Sequence, residues 1–173
     1  MVTAGAKPKK LLHLTDIHLD LYYHEGANAE CDEPLCCRLT SVGVNGSKVF
    51  AGHWGQPEAK CDTTHRFFND VLQQIHSAHP DLGAVFITGD NVPHDIWNGS
   101  QASNFVYMTD SALMILHNLG ILVPLVPSLG NMEAHPANLF IPEMITQKDH
   151  TLTMAKLYTP LVATIWAPTF TSE

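Results

Sequence analysis

Short apolar runs alternate with amphipathic stretches along this chain, and three of the runs are each closed by a polar signature. Residues 11–15 read as a buried strand. Residues 84–88 read as a second, short and continuously apolar, as expected of a strand covered on both faces. Residues 121–126 read as a third, and Pro124 inside it points to an edge position or a bulge. Between them lie two helical patterns. Thr63 or Thr64 caps the first, in which Phe67, Phe68, Val71, Leu72 and Ile75 share a face, and His79-Pro80-Asp81 ends it. The second runs over 103–118, with Val106, Leu113, Leu116 and Leu119 inward and Gly120 as its stop. Residues 151–162 form a third helical pattern through Leu152, Ala155, Leu157 and Tyr158. Residues 166–170 are apolar without periodicity and suit a segment that packs on another surface.

The order strand, helix, strand, helix, strand predicts an α/β fold with parallel strands and right-handed crossovers. Ligands of such sheets collect at the carboxyl ends of the strands. The three signatures stand at those ends: Asp16-Ile17-His18, Gly89-Asp90-Asn91 and Gly130-Asn131. Residues 20–62 interrupt the pattern with a long polar excursion. A loop of that length needs staples or a function. Four cysteines lie within it: Cys31, Cys36, Cys37 and Cys61. Their spacing does not suit a zinc knuckle. A bridge between the adjacent Cys36 and Cys37 strains the peptide. Two pairings remain: Cys31–Cys36 with Cys37–Cys61, or Cys31–Cys37 with Cys36–Cys61. Two sequons, Asn45-Gly46-Ser47 and Asn98-Gly99-Ser100, point with the cysteines to an oxidising compartment and to glycosylation at Asn45 and Asn98.

Composition narrows the field. With 173 residues, 45% hydrophobic and 15% charged, the chain can bury a real core. Its formal charge of −8 argues against nucleic acid as a partner, because no basic face can release counterions. Eleven histidines make the surface pH-sensitive: adding eleven protons to −8 gives +3. No apolar stretch reaches the ~18 residues of a membrane span. The first ten residues lack the apolar core of a signal peptide.

The strand-end residues suit a two-metal phosphoesterase. Hydrolysis of a phosphodiester needs a nucleophile at moderate pH and compensation for charge on the phosphoryl oxygens. Two divalent ions about 4 Å apart supply both. Asp16 and His18, two apart on an extended segment, point the same way and can grip one ion. Asp90 can bridge both ions, and the carboxamide oxygen of Asn131 can reach the second. Mixed nitrogen and oxygen ligation suits Zn²⁺ best, with Mn²⁺ or Fe²⁺ as other choices.

These residues resemble the calcineurin-like metallophosphoesterase superfamily and, more narrowly, the acid sphingomyelinase and acid sphingomyelinase-like phosphodiesterase family. The narrow resemblance rests on His13-Leu-Thr-Asp-Ile-His-Leu-Asp20, Cys31-Asp-Glu-Pro-Leu-Cys-Cys-Arg38, and Trp54-Gly followed by Lys60-Cys-Asp62. It rests also on Thr88-Gly-Asp-Asn-Val-Pro-His-Asp-Ile-Trp97 and Gly130-Asn-Met-Glu-Ala-His-Pro-Ala-Asn138. The cysteine block is its most specific part. Purple acid phosphatases are disfavoured, since their tyrosine ligand would fall at Pro93. The resemblance implies half of a metallophosphoesterase-type α/β sandwich, mainly a parallel sheet with helices on its faces and a disulfide-stapled loop. A tail of 1–10, a partial domain over 11–165 and a tail of 166–173 follow from it. It implies the pairing Cys31–Cys36 and Cys37–Cys61. By position, Asp16 and His18 would bind one zinc, Asp90 would bridge, and Asn131 would bind the second. His94 would stand near the phosphate and leaving group as an electrostatic or proton-donating partner. The implied substrates are a phospholipid such as sphingomyelin or a nucleotide phosphodiester, with peripheral membrane contact, in lysosomes or outside cells.

The chain departs from the family at two places. The family motif reads Gly-Asn-His-Glu, and Met132 stands at its histidine; a thioether donates no proton. The family also places three histidine ligands further along, two of them in a Gly-His-x-His motif. Past Asn131 this chain has only His135 and His150. It therefore reads as a hydrolase carrying part of a site, or as a non-catalytic truncated member that serves as a binding or scaffold protein.

Overall fold

The structure, a computed structural model, describes residues 9–95 and 98–139. Its centre is a three-stranded parallel sheet of order β1-β4-β5, made of β1 (Lys10–Leu14), β4 (Leu82–Ile87) and β5 (Leu125–Pro127). A second parallel pair joins β2 (Leu19–Asp20) to β3 (Thr63–Thr64). Helices α1 (His65–Ala78) and α2 (Gln101–Leu119) supply the crossovers and pack on each other. The predicted α/β order with parallel strands is the order observed.

Both helices start on capping hydroxyls. The Thr64 side chain accepts from the Phe67 N–H, and Ser100 and Ser103 form a reciprocal capping box. At the other end of α2, Gly120 closes the helix at φ 107°, a conformation that favours glycine. Leu72, Ile115, Leu125 and Val85 are fully buried where the helices meet the sheet. Burial of each stabilises the fold by about 1.5–3 kcal/mol.

Four details differ from the sequence pattern. α2 begins two residues before 103, because Ser100 is its cap. Its inward face is Tyr107, Met108, Ala112, Met114 and Ile115, whereas Val106 and Leu113 are exposed, as is Phe67 of α1. The apolar run at 121–126 is only half strand. Ile121 and Leu122 stand in an exposed turn after Gly120, and the ladder begins where the Pro124 carbonyl accepts from Val85 N–H at 2.9 Å. Pro124 thus precedes the strand, and β5 is an edge of the described sheet. Finally, β4 is not fully buried on both faces among the described residues: Ala84 and Phe86 are half-buried. Val85 and Ile87 enter the core beside Leu12 and Leu14, while Leu11, His13 and Thr88 are exposed. The helical pattern at 151–162 and the segment at 166–173 lie outside the described residues.

The polar excursion is held by Cys31–Cys36 and Cys37–Cys61, the pairing that the resemblance implied. Ala29, Cys37 and Ala51 form a small core of their own there. Cys37–Cys61 joins residues 24 apart, which in the chain-entropy account stabilises the fold by about 3 kcal/mol. Replacing both cysteines by serine is expected to lower the unfolding free energy by that amount in urea titrations. An unchanged midpoint would show that the loop is held by other contacts.

Candidate metal centre

Asp16, His18 and Asp90 come together at the carboxyl ends of β1 and β4. One ligand atom from each lies within 4.8 Å of the other two. The parallel ladder continues past the strands to place them. Asp16 N–H donates to Gly89 O at 3.1 Å, His18 N–H to Asp90 O at 2.9 Å, and Leu19 N–H to Asn91 O at 2.9 Å. All three residues adopt left-handed backbone, with φ of 52°, 43° and 55°. Such a conformation in a non-glycine residue costs of order 1 kcal/mol and persists where its surroundings impose it.

The tautomer of His18 follows from its partner. Nδ1 lies 2.8 Å from Val92 O. A carbonyl only accepts, so Nδ1 carries the proton and Nε2 keeps its lone pair, 3.9 Å from Asp16 Oδ1. An outer hydrogen bond of this kind is how ligating histidines are oriented. Among the described residues neither Asp16 nor Asp90 has a lysine or arginine ion-pair partner. Two carboxylates this close repel each other, and a cation relieves that repulsion.

Glu133, which the sequence reading passed over, organises the other side. It is fully buried. Its carboxylate accepts from the N–H groups of Asp90 (2.9 Å), Asn91 (2.7 Å) and Gly130 (2.7 Å), and from Asn91 Nδ2 (3.1 Å). It thereby ties the loop after β4 to the loop after β5. The two loops approach so closely that a Cβ on Gly89 would lie 1.9 Å from Gly130 N, and one on Gly130 would lie 2.4 Å from Asp90 Oδ1. Asn104 of α2 donates from Nδ2 to the carbonyls of Met132, Glu133 and Ala134. The signal in the sequence was an acidic residue two places after Asn131, inside a turn too short to leave it free.

His94 stands beside the trio, its ring centroid 4.0 Å from that of His18. Its backbone N–H and Nδ1 both meet Asp62, at 2.6 and 2.8 Å. The next residue, Asp95, pairs with Arg38, which also grips Asp20 at 2.9 and 3.0 Å. Burial works against the charge on Arg38, yet the two carboxylates hold it above its ordinary value. Burial likewise pushes Asp20 up, opposed by Arg38.

The remaining predicted residues fall in different places. Asn131 is exposed in the loop after β5, its Nδ2 2.8 Å from Asn138 Oδ1, so its own Oδ1 stays available. Met132 donates its N–H to Asp90 Oδ1 at 2.8 Å while its side chain is buried in the core. His135 lies by Gly99 at the entry to α2, apart from the trio. Asn45 and Asn98 are exposed, the first in a turn and the second in a bend.

This strand-end constellation on a parallel sheet with a stapled loop defines half of a metallophosphoesterase-type α/β fold. No protein-family model matches the chain. It is 36% identical over 163 residues to a sphingomyelin phosphodiesterase of Bos taurus, covering 92% of this chain and 25% of that protein. To its counterpart in Homo sapiens it is 36% identical over 136 residues, 79% of this chain and 21% of the other. An endopolyphosphatase of Debaryomyces hansenii is 31% identical over 150 residues, 77% and 19% of the two. The chain belongs to the sphingomyelin phosphodiesterase family and spans about a quarter or less of the length of these relatives.

Glu133→Ala would leave four N–H donors without their acceptor. It is expected to cost about 3 kcal/mol in urea unfolding, the cost of orphaning buried donors. A loss under ~1 kcal/mol would mean that water replaces the carboxylate.

Proposed function

We propose that the chain carries the strand-end metal site of a zinc-dependent phosphoric diester hydrolase of the sphingomyelin phosphodiesterase type. The observation that carries this reading is the Asp16–His18–Asp90 group, with ligand atoms within 4.8 Å and a histidine tautomer that presents a lone pair. Carboxylate oxygen with imidazole nitrogen is a donor set that suits Zn²⁺. Asp16, His18 and Asp90 would hold one ion, and Asp90 with Asn131 would hold a second. Bound zinc lowers the pKa of water and offsets charge on phosphoryl oxygens.

The chain's own residues then orient and protonate. In the overall reaction a water oxygen forms the new P–O bond and releases a proton to solvent. The bond to the alcohol breaks with its electron pair on that oxygen. In its doubly protonated form His94 donates its Nδ1–H to Asp62 and gives its Nε2 proton to the departing oxygen, which leaves the neutral Nδ1–H tautomer to regain a proton from solvent. The relatives' names join a lipid phosphodiester and a polyphosphate, and P–O cleavage is what the two share. A phospholipid or nucleotide phosphodiester is the substrate class of this reading. A lipid diester is met at a bilayer surface, so peripheral membrane contact belongs to it. Among the described residues no helix is long and apolar enough to cross a membrane. Two disulfides and two exposed sequons support a secreted or lysosomal setting with glycans on Asn45 and Asn98.

A second reading is a binding or scaffold protein without turnover. It is favoured by Met132, whose side chain is spent in the core at the place of the family motif's histidine. Equilibrium dialysis separates the two. The hydrolase reading expects Zn²⁺ to bind and Asp90→Ala to weaken it by at least about 100-fold, more than loss of an outer partner costs. It also expects turnover of bis-p-nitrophenyl phosphate and of sphingomyelin, abolished by Asp90→Ala. Absence of both binding and turnover contradicts it and leaves the scaffold.

A further inference from the structure

The two cysteines of one disulfide are each followed by a residue that grips the His94 turn. Arg38 follows Cys37, and Asp62 follows Cys61. Arg38 pairs with Asp95, and Asp62 takes both N–H groups that His94 presents to it. Neither grip is a loose surface contact. The Asp62 side chain is 9% exposed and that of Arg38 11%, although the His94 ring itself is more than half exposed. Arg38 is in turn fixed by the fully buried Asp20 of β2. β2 pairs with β3, the strand that follows Asp62 directly.

We propose that Asp62 is the positioning residue for His94, and that the Cys37–Cys61 bridge with Arg38 forms a clamp holding the ring in one tautomer and orientation beside His18. The argument is geometric. An exposed imidazole on a turn samples several rotamers, each of which carries Nε2 to a different place. A carboxylate that accepts from the backbone N–H and from Nδ1 of the same residue permits one rotamer and one tautomer. The second grip, on the adjacent Asp95, fixes the turn that carries the ring. A guanidinium that bonds two carboxylates in a planar fork is well suited to that task. The clamp explains why a long polar loop, whose own apolar core is small, is stapled beside the sheet edge. Its purpose is the placement of residues 94 and 95.

The inference rests on the proposed hydrolase reading for its kinetic consequence, and it has a second readout that does not. Asp62→Ala and Asp62→Asn are compared with the unaltered chain. Sphingomyelin in detergent micelles releases a basic alkoxide that needs a proton. Bis-p-nitrophenyl phosphate releases a phenolate that does not. Asp62→Ala is expected to lower kcat on sphingomyelin by about 100-fold and on the nitrophenyl diester by less than about 10-fold. KM and Zn²⁺ affinity should stay unchanged. Asn keeps one acceptor oxygen, so Asp62→Asn should recover part of the loss. Long-range proton–nitrogen NMR of the isotope-labelled chain, at about pH 8 where imidazole is neutral, should show a single Nδ1–H tautomer of His94. In Asp62→Ala it should show a mixture. Equal losses on both substrates, or a His94 tautomer that ignores the substitution, would overturn the proposal. If the unaltered chain neither binds zinc nor turns over, the hydrolase reading fails, and the tautomer spectra alone decide whether the clamp exists.

Discussion

The buried carboxylate of Glu133 is the interaction on which the rest of the site depends. Four N–H groups from two loops converge on it. Each loop follows a different strand, so the carboxylate converts two chain reversals into one rigid edge. That edge must be dense to work. Gly89 and Gly130 touch backbone to backbone, which any side chain would prevent. Asp90, caught between them, has its own N–H taken by Glu133 and its Oδ1 taken by Met132 N–H. Its carboxyl group cannot swing away from Asp16 and His18. Preorganised ligands bind more tightly because little freedom is left to lose.

The stapled loop answers the same need from the other side. A sheet of three short strands leaves the first strand's end exposed, and Asp16 is an exposed residue. The loop turns that exposure into a partly walled site. Its disulfide flanks supply Arg38 and Asp62, and they reach the one turn that carries His94. Two rigid bodies thus face each other across the trio. One is organised by Glu133 and the other by the Cys37–Cys61 bridge. The proposed hydrolase reading needs both, since a metal site without a placed proton donor favours only substrates with good leaving groups.

Much of this was legible from residue order alone. The apolar runs put the strand ends at Thr15 and Thr88, one residue past the observed Leu14 and Ile87, and the polar residues after them came from chemistry. The start of α1 was visible because Thr64 is a strong cap, whereas α2 was expected from 103 and starts two residues earlier, on the Ser100 cap. What stayed hidden follows from tertiary geometry. Val106 and Leu113 are apolar and helical in period, yet α2 turns Tyr107, Met108 and Ile115 inward to meet α1 and the sheet. Ile121 and Leu122 read as strand because periodicity cannot register that Gly120 leads into a turn. Glu133 and Asp62 were both inside quoted motifs. Their roles depend on which donors reach them across 42 and 32 positions of sequence, and no local pattern carries that information.

The central claim is that Asp16, His18 and Asp90 share a cation. Anomalous diffraction at the zinc edge, from crystals of the chain grown with Zn²⁺, tests it most directly. The account predicts a peak among the Asp16 carboxylate, His18 Nε2 and the Asp90 carboxylate, at about 2.0–2.2 Å from each ligand atom. Zinc bound only elsewhere, or those three side chains turned apart with nothing between them, would contradict it.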